Sequence, residues 1–137
     1  MEILQLSIFA ENRPGRLAEL TEKIASFNID IRALSLADSA DYGILRLIVD
    51  NTEKALDELK GAGLMITATK VLGVCVEDAP GGFSAVVAAL AAAGISIEYA
   101  YAFLTPTQGK AGVVLRVKDN AAAIAVLQQA GIEILAL

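Results

Sequence analysis

Between residues 3 and 10 apolar and polar side chains alternate. Leu4, Leu6, Ile8 and Ala10 point one way, Gln5 and Ser7 the other. A period of two predicts a strand with one strongly buried face. Beyond Pro14-Gly15 the period changes: Leu17, Leu20, Ile24 and Phe27 are spaced for one face of a helix, with Asn28 as its stop. Residues 29–37 and 42–49 then read as two strands joined by a polar turn, Asp38 to Asp41, and so as a hairpin. Asp50, with Glu53 three residues on, reads as a variant capping box. The short helix it opens turns Leu56 and Leu59 inward and ends at Gly61-Ala62-Gly63. Residues 64–69 predict a fourth strand.

The same order then begins again. Leu72, Val74 and Val76 take the places of Leu6, Ile8 and Ala10, and Phe83, Val86, Val87 and Leu90 form the next helix stripe. Gly94-Ile95-Ser96-Ile97 matches Asn28-Ile29-Asp30-Ile31. Residues 95–104 predict a long strand and 111–118 its partner, around the loop Thr105-Pro106-Thr107-Gln108-Gly109. Asp119-Asn120 repeats Asp50-Asn51, and Ala130-Gly131-Ile132 repeats Ala62-Gly63-Leu64. This is an internal duplication, with domains at 1–69 and 70–137 and only Lys70 between their strands. Two repeats joined so tightly are expected to pack rigidly.

Each half is β-α-β-β-α-β, so the fold class is α+β: two tandem ferredoxin-like units. Right-handed crossovers put both helices on one face of an antiparallel sheet. A unit of about 67 residues buries little alone, and its open edge invites pairing. Edge-to-edge pairing into one continuous sheet is the economical arrangement.

Composition narrows the function. The 55% hydrophobic content with few aromatics requires an aliphatic core and predicts apolar surface buried between repeats or chains. A net charge of −5, scattered along the chain, argues against a nucleic-acid partner, which needs clustered Lys and Arg. The single cysteine, Cys75, excludes an internal disulfide and fits a reducing, cytoplasmic compartment. The absence of His removes the commonest general base and metal ligand. No signal peptide is visible at Met1–Leu6, and the apolar run from Ala85 to Ile97 is too short for a bilayer, so no membrane role is expected.

Catalytic signatures are equally scarce. No P-loop, dinucleotide fingerprint or nucleophile elbow is present. Cys75 lacks the second cysteine of a metal carrier and reads as a core or sheet-face thiol. Glu77 and Asp78 are adjacent on a strand and point to opposite faces, while Asp38 and Asp41 are turn formers. The βαββαβ order is shared with RNA-recognition modules, but Asp41-Tyr42-Gly43-Ile44-Leu45 lacks their basic residue and stacking rings. Tyr99, Tyr101 and Phe103 alternate on one strand and read as packing or edge cover. No metal or cofactor is expected.

What does recur is a loop. Glu11-Asn12-Arg13-Pro14-Gly15-Arg16-Leu17 and Asp78-Ala79-Pro80-Gly81-Gly82-Phe83 each join a strand to a helix. Pro fits beside a helix start, and Gly leaves backbone N–H groups open to close approach. Such a start can cradle a carboxylate.

With Asn28-Ile29-Asp30-Ile31 and Gly94-Ile95-Ser96-Ile97 following in order, each half resembles an ACT domain, the small-ligand regulatory module of amino-acid-metabolic enzymes. The segment Glu11–Gly15 is especially similar to the serine-sensing domain of phosphoglycerate dehydrogenase. The resemblance implies pairing of domains through their second strands, with ligand between the first loop of one and the second strand of its neighbour. Loop 12–17 then faces Ser96, and loop 78–83 faces Asp30. The N–H groups near Gly15 and Arg16 would take an amino-acid carboxylate; Asn12 or Ser96 would accept from its ammonium. Leu34, Leu36 and Tyr99 would surround its side chain. Asp78 and Asp30, two carboxylates, make the second site prefer a cation or stay empty, so the sites should be unequal, with the Asn12 site the better amino-acid binder.

The expected function is therefore a free-standing tandem ACT sensor, not an enzyme. It would bind an amino acid or similar metabolite at the interface between its two domains, form at least a homodimer, and pass its signal to an unidentified regulated protein. A structural or assembly module without ligand is the alternative; a small enzyme is the other.

Overall fold

The computed structural model describes residues 1–38 and 41–136. Its elements run β1 (Ile3–Glu11), α1 (Arg16–Ser26), β2 (Ile31–Asp38), β3 (Tyr42–Val49), α2 (Thr52–Gly61), β4 (Ile66–Glu77), α3 (Gly82–Ala92), β5 (Tyr99–Phe103), β6 (Lys110–Arg116), α4 (Asn120–Gln129) and β7 (Glu133–Leu135). The architecture is α+β, with ferredoxin-like βαββαβ units and antiparallel pairing. Two compact units emerge: Leu4–Thr69, and Lys70–Leu137 together with Met1–Ile3.

In the unit Leu4–Thr69 the strand order is β2-β3-β1-β4. Register places Leu6 opposite Leu47 and Ile8 opposite Leu45, and β2 brings Leu34 and Leu36 opposite the same two leucines. The Phe9 N–H donates to the Met65 carbonyl at 3.1 Å, just ahead of β4. Leu6, Ile8, Leu45 and Leu47 meet Leu20 and Ile24 of α1 and Ala55 and Leu59 of α2. Each such leucine or isoleucine stabilises by roughly 1.5–3 kcal/mol through removal from water. Helix α1 stops where the alternation predicts: Asn28 takes φ 56°, and the Ile29 N–H donates back to the Ile24 carbonyl.

The unit Lys70–Leu137 repeats the order as β5-β6-β4-β7. Leu72, Val74 and Val76 pack with Leu115 of β6, Val86 and Leu90 of α3, and Ala123 and Leu127 of α4. Met1–Ile3 belongs here. The Asn120 Nδ2 donates to Glu2 Oε2 at 2.7 Å, and Ile3 is 3% exposed. A Cβ at Gly73 would lie 2.7 Å from Ile3 Cδ1, so Gly73 is what lets Ile3 close over β4.

Five details differ from the pattern-based expectation. The strands expected at 64–69 and from 72 are one strand, β4, because nothing between Ile66 and Glu77 turns the chain. The strand expected over 95–104 is only Tyr99–Phe103, because its partner β6 ends at Arg116, opposite Tyr99. The cap of α2 is Asn51, not Asp50: its side chain accepts the Lys54 N–H. Asp119, not the matching Asn, caps α4 by accepting the Ala122 N–H. Finally, Phe83 and Val87 lie outside the buried stripe of α3, at 42% and 37% exposed, leaving Val86 and Leu90 to fill it. The turn expected at 38–41 includes residues 39 and 40, outside the described set.

Candidate functional site

Both strand-to-helix loops are built by the same backbone device. In the first, the Asn12 N–H donates to the Asp41 carbonyl at 3.0 Å and the Arg16 N–H to Arg13 at 3.2 Å. Gly15, at φ 84°, is the N-cap of α1, and no side chain caps that helix. In the second, the Asp78 N–H donates to the Gly109 carbonyl at 2.9 Å and the Gly82 N–H to Ala79 at 3.0 Å. Gly81, at φ 85°, is the N-cap of α3, again without a side-chain cap. The prolines therefore stand one residue ahead of the cap. The positive φ excludes a comfortable side chain at either glycine. By contrast, α2 and α4 are capped by Asn51 and Asp119.

The charges around the first loop cancel. Arg13 makes two hydrogen bonds to the Glu19 carboxylate, at 3.2 and 3.1 Å. Arg16 reaches Glu19 Oε2 at 3.1 Å, and its Nε lies 2.7 Å from Glu11 Oε2, an ion pair by distance without hydrogen-bond alignment. Hydrogen bonds from Arg13 hold the Glu19 carboxyl below its usual range, and Glu19 in turn raises Arg13. Glu11 is lowered chiefly by a backbone N–H, with Arg16 and Arg13 adding to it.

Beside this loop lies a cavity of about 270 Å³ lined by Ala10, Glu11, Asn12, Arg13, Leu17, Leu36 and Gly43. Pro14, Gly15 and Arg16 shape the loop without lining that cavity. Leu34 lies two residues back along β2, 56% exposed. Asp30 stands at the other end of β2, where its N–H donates to Asp50 Oδ1 at 3.0 Å and its carboxylate pairs with Arg32 at 3.2 Å.

The second loop borders a larger cavity, about 630 Å³, lined by Val76, Glu77, Asp78, Ala79, Pro80, Phe83, Ala100, Tyr101, Ala102, Ala111 and Val113. The reason for the difference is on the edge strand. Ala100 and Ala102 are in register with Leu115 and Val113, as Leu34 and Leu36 are with Leu47 and Leu45. Two leucines in one repeat are two alanines in the other. Glu77 is paired with Lys110, whose ammonium it raises. Asp78 makes no ion pair among the described residues. Gly82 has its own reason to be glycine: a Cβ there would run into the Glu77 carbonyl oxygen.

Tyr99 pairs with Arg116, Tyr101 with Val114 and Phe103 with Gly112, on the face away from α3 and α4. Ser96, exposed, precedes β5 at the end far from loop 78–83. Thus neither Asp30 nor Ser96 lies at the loop of its own unit. A third cavity, about 490 Å³, contains Cys75 and Glu133. Burial raises the Cys75 thiol, and Glu133 adds to the effect. No group of three or more Cys, Asp or Glu among the described residues is placed to hold a metal. No described helix is long and apolar enough to cross a membrane. Sequence reasoning passed over Ala100, Ala102 and Ala111. The available signal was their match, in the duplicated pattern, to Leu34, Leu36 and Gly43.

Comparison with known proteins gives a consistent picture. A family model described as an ACT domain pair matches residues 1–136. The crystal structure of protein BT0572 from Bacteroides thetaiotaomicron is similar at 40% identity and TM-score 0.92, covering 98% of this chain and 92% of that one. The ligand-free regulatory subunit of aspartate kinase from Thermus thermophilus is similar in fold, at 18% identity and TM-score 0.65, covering 93% and 91%. The corresponding subunit from Thermus flavus gives 16% and 0.65, covering 96% and 94%. No curated protein matches the sequence.

Proposed function

The chain belongs to the ACT domain-pair family, and from that premise we propose that it is an amino-acid-sensing regulatory module of the cytoplasm, without catalysis of its own. One observation carries the reading. Of the four helices among the described residues, the two that follow Pro-Gly loops start at a left-handed glycine with no side-chain cap, each beside a cavity; the other two are capped. The first-turn N–H groups of an uncapped helix favour a carboxylate. An α-carboxylate set there would leave the ligand's side chain over β2 or β5. Residues 11–17 and 78–83 would hold it.

The neighbouring second strand in this reading comes from a second copy of the chain. β2 is the edge of its unit and β5 of the other. Exposed Leu17, Leu34, Leu36, Phe83 and Val87 accompany these edges. Pairing them between copies would protect the strands and would bring Ser96 to loop 12–17 and Asp30 to loop 78–83. Output to a regulated protein then depends on a ligand-dependent surface, since a ligand shifts only an equilibrium whose states it binds unequally.

A thermal-shift titration with each standard amino acid tests this. A ligand at 100 times its Kd adds about 2.7 kcal/mol to folding, so at least one amino acid should raise the midpoint with concentration. Flat responses throughout would favour an assembly module with no ligand.

A further inference from the structure

The two cavities differ in size and in charge, and that difference selects ligands. This inference rests on the amino-acid reading above. We infer that the Asp78 cavity is a receptor for an α-amino acid with a bulky apolar side chain, and that Ala100 and Ala102 are the residues that admit it.

Three observations on one rim support this. The cavity of about 630 Å³ falls in the range of small-molecule pockets, whereas the 270 Å³ beside Asn12 falls below it. Phe83, Ala100, Ala102, Ala111 and Val113 give it an apolar wall, to which Tyr101 adds. At its mouth, Glu77 is neutralised by Lys110, which leaves Asp78 as the one uncompensated carboxylate among the lining residues. An ammonium matches Asp78; the uncapped start of α3 beside it matches a carboxylate, and an Asp30 brought across from a second copy arrives already paired with Arg32. Opposite charges on neighbouring groups with an apolar floor fit a zwitterion bearing a hydrocarbon or aryl side chain. In the first unit Leu36 occupies the equivalent floor, Glu11 is already paired with Arg16, and only a small side chain is left room.

Isothermal titration of the full chain with L-leucine, L-phenylalanine, glycine and L-serine provides the test. Leucine or phenylalanine should bind to the native chain. Ala102→Leu, which copies Leu36 onto an exposed position, should weaken that binding by about tenfold or more. The reciprocal Leu36→Ala, at a position 48% exposed, should create a second site for the bulky ligand. Isopentylamine keeps the ammonium and drops the carboxylate, and should bind at least about tenfold more weakly than leucine. Bulky ligands that bind Ala102→Leu unchanged, or isopentylamine that equals leucine, would overturn the assignment. Binding of glycine or serine with no binding of leucine or phenylalanine would overturn it while leaving the sensor intact. Failure of all four together with every other amino acid would remove both.

Discussion

The Asp50 carboxylate accepts the backbone N–H of Asp30 at 3.0 Å and that of Asn51 at 2.9 Å, while the Asp50 N–H returns a bond to the Asp30 carbonyl at 3.1 Å. This closed pair ties the head of β2 to the end of β3. The bond from the Asp30 N–H is the main cause of the lowered Asp50 pKa. Because the folded value lies below the unfolded one, the stabilisation is present above the unfolded pKa and lost as pH falls through the folded one. The thermal midpoint of Asp50→Asn should therefore lie below that of the native chain at neutral pH. The two should converge below about pH 4. Melting curves from pH 7 to pH 2 check it.

Capping supplies a second expectation. Asn51→Ala and Asp119→Ala each remove one acceptor from a helix N-terminus and should each cost about 1 kcal/mol in urea unfolding. Asp50→Ala should not mimic Asn51→Ala in the hydrogen exchange of the Lys54 amide, since Asp50 does not cap that helix.

Glycines of the Pro-Gly loops separate two kinds of cost. A Cβ at Gly15 or Gly81 would meet no atom within 4 Å, so Gly→Ala there should cost only backbone strain, about 1–2 kcal/mol. At Gly82 the backbone is ordinary but a Cβ has no room beside the Glu77 carbonyl. Gly82→Ala should cost more, about 2–3 kcal/mol, because the loop itself must shift. Chemical denaturation of the three variants ranks them.

Phe103 lies flat against Gly112, where any Cβ would enter the ring. Gly112→Ala should cost about 1–3 kcal/mol. In the background Phe103→Ala the same change should cost much less. A double-mutant cycle reads the coupling directly.

Much of this fold was legible in the chain. Leu6, Ile8 and Ala10 alternate into the core as their spacing demands, β3 begins at Tyr42 and ends at Val49, and Asn28 stops α1. What escaped was whatever depends on a partner. The length of β5 is set by β6, not by its own alternation. The one-residue slip between the Asp50-Asn51 and Asp119-Asn120 caps follows from where each helix begins, which identical dipeptides do not record. The Pro-Gly loops announced themselves, but the size of each cavity is decided across the strand, by Leu36 in one repeat and Ala102 in the other.

The membership of Met1–Ile3 in the unit made by residues 70–137 bears on what a separated half would lack. If half of the gene were deleted at the repeat boundary, the first half would keep an Ile3 with nothing to cover, and the second would lose both that lid and the Glu2 partner of Asn120. The boundary of the packed unit therefore does not coincide with the boundary of the sequence repeat, and a fragment cut at residue 70 would lack residues that complete its own packing.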